Sequence, residues 1–187
     1  MNLFTSDLHF GHEKIAKLRG FASSFEHDEF VCSEIREQVT NHDVLWILGD
    51  VALDANGHTA ALRYLWGLIC EVRIVAGNHD KFHPMQRGYV GWHKRFSEVF
   101  DWVGTQGYVR IDGTRWHLSH FPRLGEGADH TDEARFEEWR PTARRVLHGH
   151  THLTGQRYHD GQIHVGWDAW KRLVTEQDIM NLLKEYE

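Results

Sequence analysis

Two stretches of this chain, DVLWILGD at residues 43–50 and EVRIVAGNHD at residues 71–80, share one design: a short apolar run, then glycine, then polar residues with reactive side chains. Each run is too short and too apolar for a surface helix, which predicts a buried strand emptying into a loop. Between them HTAALRYLWGLI, residues 58–69, sets Ala61, Leu62, Leu65, Leu68 and Ile69 on one helical face. Strand, helix, strand predicts a right-handed βαβ unit with parallel strands, and in such sheets ligands gather outside the carboxyl ends of the strands. An α/β fold with its site at the strand exits is therefore the expectation.

The rest of the chain extends the pattern. MNLFTS predicts a first strand that delivers Asp7 and His9 to its exit, and Val31, Ile35 and Val39 recur among charges within residues 24–41 as one stripe of a helix. After residue 100 the style changes: YVRIDGTRWHLSHFP and RYHDGQIHVG read as hairpins turning at Asp112-Gly113 and Asp160-Gly161, with a strand in ARRVLHGHTH between them. That half is expected to be antiparallel. TEQDIMNLLKEYE closes the chain as a helix, with Thr175 capping, Asp178 three residues on, and Ile179, Leu182, Leu183 and Tyr186 along one face. The polar, acidic residues 125–140 are expected to form a surface excursion. No repeat or Pro/Gly/Ser-rich linker interrupts the sequence, so residues 1–187 are expected to form one domain.

Composition narrows the function. No apolar run approaches the ~20 residues a membrane helix needs, and the first residues lack a secretory leader, which points to a cytoplasmic protein. A net charge of −6 disfavours binding to long nucleic acid, which rests on Lys and Arg neutralising phosphates. Cys32 and Cys70 fit no paired pattern and are expected to be buried free thiols. The excess lies in 16 histidines, most of them beside Asp, Gly or another His. In HGHTH, residues 148–152, an extended backbone would turn His148, His150 and His152 to one face.

Five clusters each follow a predicted strand: Asp7 with His9, Gly49-Asp50, Gly77-Asn78-His79-Asp80, His120, and His150 with His152. Carboxylate, amide and imidazole donors suit manganese, iron, zinc, cobalt or nickel, and the absence of cysteine among them argues for a catalytic rather than a structural metal site. Gly49, Gly77 and Gly149 are expected to let the backbone turn sharply before the ligands. The tryptophans, Trp46, Trp66, Trp102 and Trp116 among them, are expected in the core. His12 is expected to touch substrate or cap a helix, His117 and His148 to support or pack, Asp168 to satisfy backbone donors, and Arg123 and Arg157 to be solvated.

In their order these clusters resemble the calcineurin-like metallophosphoesterase superfamily, and TSDLHFGHEKI with HVGWDAW is similar to its compact bacterial and phage-type group. The resemblance implies an αββα sandwich of two mixed β-sheets flanked by helices, with a dinuclear metal site at the strand-end loops. It implies that Asp7, His9 and His152 bind one divalent cation, that Asn78, His120 and His150 bind another, and that Asp50 bridges the two, manganese being the foremost metal. A hydroxide held between the cations would attack phosphorus, His79 would protonate the leaving oxygen, and Asp80 would orient the His79 ring. The implied partner is a small phosphoester or nucleotide: phosphodiesters such as 2′,3′-cyclic nucleotides first, with a phosphomonoester, a dinucleoside polyphosphate or a nuclease substrate served by the same residues. A non-catalytic protein-interaction scaffold is the reading from another class, and the complete ligand set weighs against it.

Overall fold

The run VLWIL carries no polar alternation because both of its faces are covered. In the computed structural model, which describes residues 1–123, 136–155 and 157–186, strands β1 (Asn2–Thr5), β2 (Val44–Leu48) and β3 (Glu71–Val75) lie side by side and parallel. Successive residues of a strand point to opposite faces. Leu45 and Ile47 accordingly join one cluster with Val31 and Ile35 of α2 (Ser24–Gln38) and Ala61, Leu62 and Leu65 of α3 (Ala55–Leu65). Trp46 and Leu48 join another with Trp116, Leu118, Leu147 and Ile163 of the second sheet.

Both sheets are mixed. The first adds β4 (Trp102–Gly104) parallel to β3 and β10 (Val174–Thr175) antiparallel to β1, in the order β10-β1-β2-β3-β4. The second contains β5 (Gln106–Ile111), β6 (Thr114–Ser119), β7 (Val146–His148), β8 (Tyr158–His159) and β9 (Gln162–His164), in the order β5-β6-β7-β9-β8. The two hairpins form, with Asp112, Gly113, Asp160 and Gly161 all at positive φ. The wholly antiparallel second half does not, because β7 runs parallel to both β6 and β9. The segment joining β6 to β7 spans residues 120–145, long enough to return to the starting edge, so no tight turn dictates the direction of β7.

The remaining helices are α1 (Glu13–Leu18), α4 (Tyr89–Ser97), α5 (Trp167–Trp170) and α6 (Glu176–Tyr186). Helix α3 starts earlier than its apolar pattern, since Asp54 accepts from Gly57 N at 2.9 Å, and it stops at Leu65. Ile69 is consequently exposed instead of sharing the buried face, and Trp66 is exposed as well. Helix α6 is capped reciprocally: Asp178 N donates to Thr175 Oγ1 at 3.1 Å, and Thr175 N donates to Asp178 Oδ2 at 2.8 Å. Ile179 enters the core between the sheets, whereas Tyr186 is exposed and stacks on Tyr158. Cys32 and Cys70 are buried and free. No helix among the described residues is long and apolar enough to cross a membrane. Of residues 125–140, those up to 135 lie outside the described residues, and Glu137–Trp139 forms a turn of 3-10 helix.

Candidate metal centre

Strands β1, β2, β3, β6 and β7 all release their loops along one edge, and those loops carry every residue expected in the site. Five of those residues, Asp7, His9, Asp50, His150 and His152, have positive φ, a conformation that side chains normally avoid. Backbone strain of this kind persists where surrounding structure overrides it, and it concentrates at functional sites. The three glycines expected at these turns serve in two ways. Only Gly49 has positive φ; Gly77 and Gly149 are needed for space, since a Cβ on Gly149 would lie 2.7 Å from Asp7 Oδ2 and one on Gly77 2.5 Å from Asp50 N. At these exits the sharp turning falls to the polar residues themselves.

The loops bring together two groups, Asp7 with His9 and His152, and Asp50 with His120 and His150, in each of which the nearest oxygen or nitrogen atoms lie within 4.8 Å of one another. His9 Nε2 and His152 Nε2 are 3.2 Å apart, as are His120 Nε2 and His150 Nδ1. Two nitrogens about 2.1 Å from one cation and about 100° apart would be about 3.2 Å from each other, so both pairs fit a shared cation. Asn78 Oδ1 lies 3.0 Å from His120 Nε2, alongside the second group. Asp50 Oδ2 lies 3.4 Å from His120 Nε2 and 3.9 Å from His79 Nε2.

Burial opposes charge throughout, and each shift shows whether a partner outweighs it. At His120 burial is outweighed by the Asp50 carboxylate, which holds the pKa up at about 9. His152 is likewise raised against its burial, by its hydrogen bond to Asp168 and by Asp7. Asp50 and Asp7 sit below the usual carboxylate range despite burial, through His120 and His152 respectively. His9 and His148 fall to about 3 and His164 to about 4, because burial prevails there. The carboxylates beside His120 and His152 thus favour positive charge at both positions, which a divalent cation would supply.

Ring orientation is set from behind. His120 Nδ1 donates to Leu48 O at 2.9 Å, and His152 Nδ1 donates to Asp168 Oδ2 at 2.7 Å. Asp168 therefore bonds a site histidine rather than backbone donors. Its place in HVGWDAW, a stretch that carries part of the family resemblance, was the sign in the sequence, and Arg19, which also bonds it, gave none.

Asp80 does not orient His79. Its wholly buried carboxylate accepts from Asp50 N at 2.9 Å, Val51 N at 3.0 Å and Gly77 N at 2.8 Å, locking the loop after β2 to the loop after β3. Three backbone donors fix a carboxylate more firmly than one imidazole would. His79 instead projects outward, its side chain 44% exposed.

The shared face expected in HGHTH also fails. Strand β7 ends at His148, and the positive φ of His150 and His152 breaks the extended geometry. His148 belongs to neither group; its Nδ1 donates to Gly149 O at 2.8 Å and its ring lies 5.5 Å from that of His164. His12 starts α1 without a capping bond, and its ring faces His9 at 5.6 Å. His117 packs on Tyr108 and bonds Gln106 at 3.1 Å. Arg123 bonds Asp160 and Arg157 bonds Ala169 O, so neither is merely solvated.

A family model described as the calcineurin-like phosphoesterase superfamily domain matches residues 2–167. The chain is 38% identical to the Gene 66 protein of Mycobacterium phage D29, covering 98% of this chain and 96% of that one. It is 36% identical to the Gene 66 protein of Mycobacterium phage L5, covering 96% and 92%. A solved structure, the protein of unknown function AQ665 from Aquifex aeolicus, superposes with a TM-score of 0.69 at 23% identity, covering 97% of this chain and 98% of that one.

Proposed function

Since the chain belongs to the calcineurin-like phosphoesterase superfamily, we propose that it hydrolyses phosphodiesters with two divalent cations, acting on small substrates such as 2′,3′-cyclic nucleotides. The observation that carries this reading is the presence of two Asp/His groups, Asp7 with His9 and His152, and Asp50 with His120 and His150. Asp7, His9 and His152 would hold one cation, and Asn78, His120 and His150 the other, with Asp50 shared. When bound, the cations would neutralise phosphoryl charge and make a water molecule nucleophilic near neutral pH. With oxygen and nitrogen donors only, manganese is the first metal to supply, ahead of iron, zinc, nickel or cobalt.

The chain's own residues perform the rest. The Asp50 carboxylate, if shared, would offset the repulsion between two cations. The backbone N–H of His79 donates to Asp50 Oδ1 at 3.0 Å, so the loop that carries the His79 ring is tied to the same carboxylate. To that exposed ring, with Nε2 3.9 Å from Asp50 Oδ2, we assign the transfer of a proton to the leaving oxygen.

Hydrolysis of bis-p-nitrophenyl phosphate with Mn²⁺ tests the proposal, comparing wild type with Asp50→Ala and His79→Ala. Both variants are expected to lose activity, and His79→Ala to lose less as the leaving group becomes more acidic and needs its proton less. Equal rates in all three proteins would contradict the assignment and favour a scaffold without chemistry. A panel of cyclic nucleotides, monoesters, dinucleotides and short RNA then identifies the substrate class.

A further inference from the structure

We propose that Asp168 and Arg19 form a positioning clamp that holds one of the two cation positions, that of Asp7, His9 and His152, while the neighbouring position does without it. The inference rests on the two-cation reading above and adds residues that touch neither cation.

Asp168 joins His152 to Arg19. One oxygen, Oδ2, accepts from His152 Nδ1 at 2.7 Å and from Arg19 Nη2 at 2.9 Å, and Oδ1 accepts from Arg19 Nε at 2.8 Å. The arginine is nearly buried, with its side chain 8% exposed, and its other donors are also engaged. Nη2 donates to Asp7 O at 2.7 Å, and Nη1 donates to Leu8 O at 3.0 Å and to His27 Nε2 at 2.9 Å. Accepting at Nε2 leaves the His27 proton on Nδ1, which donates to Asp28 Oδ1 at 2.8 Å; Asp28 Oδ2 in turn accepts from Gly11 N at 2.7 Å. A single side chain from the end of α1 thereby binds the turn after β1, helix α2 and helix α5 to the ring of His152.

This arrangement does two things for His152. A carboxylate on Nδ1 fixes the ring with Nε2 toward Asp7 and His9 and makes that nitrogen a better donor to a cation. The guanidinium fixes the carboxylate bidentately, so that it cannot swing into the site and compete for the cation. The same guanidinium holds the backbone of Asp7, whose positive φ needs such support. His120 of the other group is oriented by a backbone carbonyl, which no side-chain substitution removes. The two positions should therefore respond differently to the same change.

The test is calorimetric titration of Mn²⁺ into metal-free protein, with the fold followed by circular dichroism. Wild type should bind two ions. Asp168→Asn keeps the shape but loses the charge, and it should weaken one ion by about 10- to 100-fold while leaving the other unchanged. Arg19→Gln should do the same to a smaller degree, and it decides the matter if Asp168→Asn does not fold. Asp178→Asn is the control, because Asp178 makes an equally bidentate pair with Arg172 at 2.7 and 2.8 Å in the cap of α6, among different partners. It should lower thermal stability without changing either affinity. Equal weakening of both ions, no weakening, or the same effect in Asp178→Asn would overturn the clamp. Failure of wild type to bind two ions would instead overturn the two-cation reading on which the clamp depends.

Discussion

Gly77→Ala isolates the part that close packing plays in placing Asp50. Gly77 is not at positive φ, so its backbone accepts alanine, and the whole effect comes from the added carbon. That carbon would lie 2.5 Å from Asp50 N and 2.9 Å from Asp50 Cγ, where ordinary contact begins at 3.4 Å. Asp50 would have to retreat by about 0.9 Å at its nitrogen and about 0.5 Å at its carboxyl carbon. The loops cannot simply part, because Asp80 Oδ2 holds Gly77 N at 2.8 Å and Asp50 N at 2.9 Å. Misplacing a reacting group by about 1 Å costs on the order of 100-fold in rate, and overpacking costs about 1–3 kcal/mol. In a chain of this size that is a fall in Tm of about 2–12 °C. Gly91→Ala in α4, where the new carbon meets nothing within 4 Å, is the companion variant, expected to gain about 0.5–1 kcal/mol and keep full activity. Phosphodiester hydrolysis at saturating Mn²⁺, measured well below both Tm values, provides the assay. If Gly77→Ala is as active as wild type there, Asp50 is not held by this contact and the reasoning is wrong.

Two other perturbations separate structural from chemical roles. Asp80→Ala strands three buried backbone N–H groups, each worth about 1–3 kcal/mol, so its urea midpoint should fall further than that of Gly77→Ala. A variant of wild-type stability that lost only activity would return Asp80 to a role at His79. Burial alone would raise the Asp178 pKa, but Arg172 and Thr175 hold it at about 2, against an ordinary value of 3.8. Its ionised form thus stabilises the fold above the ordinary value, and that contribution disappears as pH falls through about 2. The stability difference between wild type and Asp178→Ala, read by urea denaturation, should be constant above pH about 5 and shrink steadily on acidification below it; a difference independent of pH would refute the ion pair.

What the sequence revealed depended on how local the causes were. Strands β1, β2 and β3 were legible because burial on both faces demands unbroken apolar runs, and both hairpins were legible because Asp-Gly favours the positive φ their turns require. The parallel course of β7 was not, since it depends on a connection without regular pattern. Within the site, the residues that converge were those following strand exits in the order the family resemblance implied. Asp80 was misplaced because adjacency to His79 in sequence says nothing about three backbone donors contributed by residues 50, 51 and 77. Arg19 was invisible for the same reason: its partners Asp7, Leu8, His27 and Asp168 are assembled only by the fold. The equal spacing in HGHTH suggested a common face that positive φ at His150 and His152 abolishes.

The most direct measurement of the central claim is anomalous scattering from crystals of the protein grown with Mn²⁺. Two peaks about 3.5–4 Å apart are expected, one against Asp7, His9 and His152 and one against Asn78, His120 and His150, with the Asp50 carboxylate between them. A single peak, or a peak coordinated by His148, would contradict the account.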